Sequence, residues 1–169
     1  MASVDVTGVS ANTFVSGNYL SAYDTGSYSL SAPLAVEMVR FGTTVLSSNI
    51  TIQGVHNTDI VFSEAGIYNI IFSIQVTCNT PQAHLFYLWL CKNGATVADT
   101  NSVLTIHGTH GGNNGHSIAA WNFIVNVLPG ESYQLCWSGD DQAIRIETIA
   151  SPGGTIPVSP SAILSVSQV

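Results

Sequence analysis

From residue 59 onward, apolar and polar side chains take turns along the chain. After the polar turn Ser63-Glu-Ala-Gly66, one parity carries Tyr68, Ile70, Phe72, Ile74 and Val76. The other carries Asn69, Ser73, Gln75 and Thr77, joined by Ile71. A period of two over this length predicts a half-buried β-strand. Its polar parity holds no charge. A strand face open to water usually carries Lys, Glu or Thr, so Asn, Ser and Gln predict a protected or interfacial surface.

The same alternation recurs downstream. Residues 118–128 place Trp121, Phe123, Val125 and Val127 on one face with Asn122 and Asn126 opposite. After the turn Leu128-Pro-Gly130, Tyr133, Leu135 and Trp137 continue it. Residues 34–41 and 49–55 predict shorter strands, as do Ile144, Ile146 and Thr148, and then Ala162, Leu164 and Val166. Leu85-Phe-Tyr-Leu-Trp-Leu-Cys91 is apolar on both parities. One face fits the domain's own core, and the other needs cover from a second sheet or another subunit. Lys92-Asn-Gly94 ends that strand in a hairpin turn, because Asn-Gly tolerates positive φ. No segment has a helical stripe. Residues 1–28 are rich in Ser, Thr, Gly and Asn, with Phe14, Tyr19, Tyr23 and Tyr28 scattered among them, and read as an extended N-terminal arm ahead of a domain at 29–169. Short strands at turn-punctuated spacing predict an all-β sandwich or jelly roll of two antiparallel sheets.

Composition narrows the partners. The 169 residues are 46% hydrophobic and only 8% charged, with three basic side chains (Arg40, Lys92, Arg145) and a net charge of -7. So few cations exclude phosphate-backbone binding and an anionic membrane surface: no nucleic acid and no membrane are expected. No apolar run reaches the length of a membrane-spanning helix, and Met1-Ala-Ser-Val-Asp5 lacks signal-peptide features. The expectation is synthesis in the cytoplasm without use of the general secretory route. Cys78, Cys91 and Cys136 are odd in number, sit in apolar strands and form no CxxC pair, so they read as small buried hydrophobes rather than a disulfide framework.

Candidate chemistry is sparse. His107-x2-His110-x5-His116 has imidazoles enough for zinc or nickel, but the surrounding glycines orient them poorly and no cysteine lies near; the loop reads as exposed, without metal. His56 and His84 are isolated. Asp140-Asp141 follows Trp137-Ser-Gly, and neighbours on an extended chain point apart, which suits a solvated turn better than an acid/base dyad or calcium. The serines show no nucleophile elbow, and Gly111-Gly112 lacks the Lys-Ser of a phosphate loop. Neither an enzyme nor a cofactor is expected.

Five segments in order carry a resemblance: Gly66-Ile-Tyr-Asn-Ile-Ile-Phe-Ser73; the aromatic strand ending in Lys92-Asn-Gly94; Ala119-Ala-Trp-Asn-Phe123 after a Gly/His loop; Leu128-Pro-Gly-Glu-Ser-Tyr-Gln-Leu-Cys-Trp-Ser138; and Pro160-Ser-Ala-Ile-Leu-Ser-Val166. Over about residues 55–169 the chain resembles the tumour necrosis factor/complement-type jelly roll in the version found in tailed-phage virion proteins. The resemblance implies a ten-stranded jelly roll that trimerises through one sheet. It also implies a structural role on the outer surface of a virion, as a capsid cement or decoration protein whose partner is the major capsid protein. The alternative is a trimeric fibre tip that recognises a host surface ligand. The short non-repetitive leader, without heptads, favours cement over a stalked fibre. Candidate trimer contacts are Tyr68, Phe86, Tyr87, Leu88, Trp89, Trp121, Phe123 and Trp137, and candidate capsid contacts are Phe14, Tyr19, Tyr23 and Tyr28.

Overall fold

A computed structural model describes residues 17–169. Its strands are β1 (Tyr19–Asp24), β2 (Tyr28–Ser29), β3 (Glu37–Met38), β4 (Thr43–Ser48), β5 (Ile50–Gln53), β6 (Asp59–Phe62), β7 (Gly66–Cys78), β8 (His84–Lys92), β9 (Ala95–Thr96), β10 (Ser102–Ile106), β11 (Gly115–Val127), β12 (Ser132–Gly139), β13 (Ile144–Ile146) and β14 (Ala162–Gln168). They form two seven-stranded sheets, and every pairing between strands is antiparallel. No helix among the described residues is long and apolar enough to cross a membrane.

The first sheet is organised by β7. Along one edge, β14 pairs with Tyr68–Ile74 and β13 with Val76–Cys78; β11 runs the whole length of the other. β1 and then β4 continue outward from β14, and β2 continues from β13. The second sheet runs β10-β8-β12-β6-β5, with β3 added to β12 and β9 to β8.

Alternation explains the core between them. Tyr68, Ile70, Phe72, Ile74 and Val76 of β7 are buried with Leu164 and Val166 of β14. The second sheet answers with Phe86, Leu88 and Leu90 of β8 and Leu135 and Trp137 of β12. An edge-on aromatic contact locks the layers, the Phe62 and Tyr68 ring centres lying 4.7 Å apart, while Phe86 stacks on Trp137 within the second sheet at 5.9 Å. The Asn93-Gly94 turn has φ of 50° and 79°, as the hairpin requires. Beside it Lys92 Nζ lies 2.8 Å from Glu131 Oε2. That hydrogen bond, helped by the Leu128 N–H, holds the Glu131 carboxyl below its usual range and raises the Lys92 ammonium.

Two expectations are corrected here. The boundary at residue 28 cuts through the domain: β1 lies inside the first sheet, between β14 and β4, so residues 19–29 belong to the jelly roll. Cys91 and Cys136 are not free thiols but a disulfide across β8 and β12, Cα atoms 6.3 Å apart. The register sets Cys91 opposite Gln134 and Cys136 opposite Trp89, which makes the two cysteines diagonal neighbours on one face. Only Cys78 is free, and it is buried.

Candidate assembly surface

The outward face of the first sheet is a chequer of isoleucines and small neutral polar groups. One row reads Leu46, Ser21, Ser165, Ile71, Asn122 from β4 to β11. The next reads Tyr23, Ile163, Ser73, Ala120, and on the other side of the first lies Ser48, Tyr19, Ser167, Asn69, Ile124. Ile118 stands opposite Gln75 and Ile67 opposite Asn126. These side chains are open to solvent in the single chain: Ile124 is 67% exposed, Ile118 59%, Ile71 46% and Ile163 44%. The polar groups partly satisfy one another, Asn122 Nδ2 donating to Asn69 Oδ1 at 2.7 Å.

Strands β4, β7, β11 and β14 contain no Asp, Glu, Lys or Arg, and the single acid of β1, Asp24, points inward and is buried. Charge enters this sheet only at one end, where Arg145 pairs with Thr77 and the Thr77 hydroxyl donates to Glu147 at 2.9 Å. A face with five exposed isoleucines and no charge can be covered favourably, because its burial removes apolar area from water without stranding an ion.

The residues singled out by sequence fall in five places, with Phe14 apart. Tyr68, Phe86, Leu88 and Trp137 are fully buried in the chain's own core and have no surface for a second copy. Trp121 and Phe123 point inward at the edge strand and pack on Phe72, with ring centres 4.9 and 5.8 Å away. Tyr87 and Trp89 sit half-buried on the outside of the other sheet, partly under the segment around Leu34 and Val36. Of the proposed capsid contacts, Tyr19 and Tyr23 lie on the isoleucine face. Tyr28 packs under Arg40, whose guanidinium is 4.3 Å from the ring centre, and hydrogen-bonds Asp24. Burial, then that hydrogen bond, pushes the Tyr28 phenol up to about 12. Phe14 lies outside the described residues. The isoleucines were missed singly, although Ile71 among Asn69, Ser73 and Gln75 is the signal that finds them.

The histidines do not converge. His107, His110 and His116 are exposed, His110 bridging to Asn113 in the loop and His116 lying opposite Thr77. Among the described residues no group of three or more His, Cys, Asp or Glu is placed to hold a metal. The acidic pair builds a turn: Asp140 Oδ1 accepts from the Leu85 N–H at 2.9 Å and lies 3.2 Å from His84 Nδ1, while Asp141 Oδ1 accepts from the Ala143 N–H at 2.8 Å.

No protein-family model matches the chain, and no curated protein matches it by sequence. Solved structures do. The crystal structure of murine APRIL at pH 8.5 superposes with a TM-score of 0.55 at 11% identity, covering 90% of this chain and 99% of that one. At such identity the likeness speaks for architecture alone, and the architecture is a TNF-like jelly roll.

Proposed function

We propose that the chain is a structural virion protein, a homotrimeric cement or decoration protein that stabilises a phage head from its outer surface. The single observation that carries the assembly is the uncharged isoleucine face of β4-β1-β14-β7-β11. An interface of standard size removes about 1,600 Å² from water, at roughly 25 cal/mol per Å² of apolar area. Threefold assembly is the state implied by the resemblance to phage jelly rolls, and so is the major capsid protein as partner. The Cys91–Cys136 disulfide supports a life outside the reducing cytosol, as for a particle that leaves its host cell. Asp140, Asp141 and the Lys92–Glu131 pair serve turns and strand ends, which supports a structural reading over catalysis.

The test is add-back. Purified protein is mixed with heads of the source particle from which it has been stripped. Saturable rebinding and a higher rupture temperature are expected. Failure to bind heads, together with binding to host cells, would replace cement with the fibre-tip reading.

A further inference from the structure

A pocket of about 700 Å³ opens on the second sheet, between the segment around β3, the β5–β6 turn and the Asn93–Gly94 turn. That volume lies within the roughly 300–1,000 Å³ of ligand sites. Its floor is Gln134, which alternates along β12 with the inward-facing Tyr133 and Leu135 and so points to the outside of the sandwich. The isoleucine face belongs to the other sheet.

Two carboxylates line this pocket, Asp59 and Glu37. Asp59 is held in place through one oxygen only. Its Oδ1 accepts from the Thr58 hydroxyl at 3.0 Å and from the Gln134 amide at 3.1 Å. Among the described residues its Oδ2 accepts no hydrogen bond, and it is not one of the polar atoms shut away from water without a partner. Gly54 lies beside it: a Cβ added there would stand 3.1 Å from Oδ2. The glycine therefore leaves this oxygen open to the pocket. The ion pairs among the described residues are His84–Asp140 and Lys92–Glu131, so neither Asp59 nor Glu37 has a cation. Arg40 also lines the pocket, but its guanidinium is stacked on Tyr28, 4.3 Å from the ring centre.

The occupant follows from charge and rim. Val36, Met38 and Val55 stand around the acids with their side chains in water, Val55 being 94% exposed. Open carboxylates inside an apolar rim suit a cationic head on an aliphatic stem, which is the build of lysine and arginine side chains. A second copy of the chain is a weak source, because Lys92 is paired, Arg40 is stacked and Arg145 sits at one end of the first sheet. A net charge of -7 favours a basic partner. We infer that this pocket takes a lysine or arginine side chain, set between apolar residues, from a partner protein. The inference goes beyond the cement reading and stands apart from it, since the pocket and the proposed trimer face lie on different sheets.

The full chain is titrated into labelled, capped heptapeptides that carry a central Lys, Arg, norleucine or Glu between valines, with anisotropy as the readout. Saturable binding of the Lys and Arg peptides is expected, falling as salt is raised. Glu37→Gln should weaken it by about tenfold, as loss of a charged hydrogen-bond partner does. This variant keeps the size of the side chain on a two-residue strand, so the fold is not at risk; Asp59→Asn should weaken binding further. Norleucine peptides that bind as well as Lys peptides would remove the role of the acids. Binding that Glu37→Gln and Asp59→Asn both leave unchanged would place the site elsewhere. Displacement of the peptides by equimolar spermidine would assign the pocket to free polyamines, and failure of the Lys and Arg peptides to bind would overturn the inference. None of these outcomes uses phage heads, so this inference and the cement reading fail separately.

Discussion

At the residue scale, single side chains report on how tightly the jelly roll constrains its chain. Tyr28 is one. Its phenol titrates at about 12 in the fold against an ordinary 10.0, so the folded state holds the proton more firmly than the unfolded one. The group's contribution is fully present below pH 10 and is lost as pH rises toward 12. Chemical denaturation across that range should show stability falling, and Tyr28→Phe should flatten the fall; an unchanged slope in the variant would assign it to other groups. Gly94 is another. A methyl group added there meets nothing within 4 Å, yet φ is +79°. Gly94→Ala should therefore cost about 1–2 kcal/mol through the backbone alone, read as a lower denaturation midpoint. That turn was legible from Asn93-Gly94 because its cause is local. The isoleucines of the outward face were not, since Ile71 among polar neighbours gains meaning only when the adjoining strands bring Ile118, Ile124 and Ile163 beside it.

At the element scale, β7, β11, β12 and β14 were legible because large apolar residues point inward with a period of two, and β8 because it is a short apolar run closed by a turn. β1 inverts that code. Its inward residues are Leu20, Ala22 and Asp24, and its outward ones are Tyr19, Ser21 and Tyr23. The bulk faces out and an acid faces in, so the segment read as an arm. Deleting residues up to Leu30 removes a strand flanked on both sides, and should abolish cooperative thermal unfolding. A truncated chain that still melts sharply by circular dichroism would restore the arm. The Cys91–Cys136 bridge was hidden for a different reason: it depends on the β8–β12 register, across a separation of 45 residues. Replacing both cysteines with serine should lower stability by about 2–4 kcal/mol, measured in urea without reductant. Equal midpoints would show that the bridge contributes nothing to the fold.

At the scale of the whole molecule, the two sheets have different outsides. The second is partly covered by its own chain, as the residues around Leu34 and Val36 border Tyr87 and Trp89. The first is bare, uncharged and set with Ile67, Ile71, Ile118, Ile124 and Ile163. The outward face is legible in the sequence as an absence of charge on one strand, which is a property of the whole surface. Its named contacts failed where Tyr68, Phe86, Leu88 and Trp137 turned inward, because side-chain size tracks burial in the core more closely than it tracks an interface. In the proposed assembly this bare face is covered by further copies of the chain. Light scattering coupled to size exclusion, at micromolar protein, tests it most directly when wild type is run beside an Ile71→Asp/Ile163→Asp variant. Three times the 17.8 kDa of one chain is expected for wild type, and a folded monomer for the variant, since a carboxylate on that face would be buried unpaired. A wild-type mass of a single chain, or a variant that assembles as well as wild type, would contradict it.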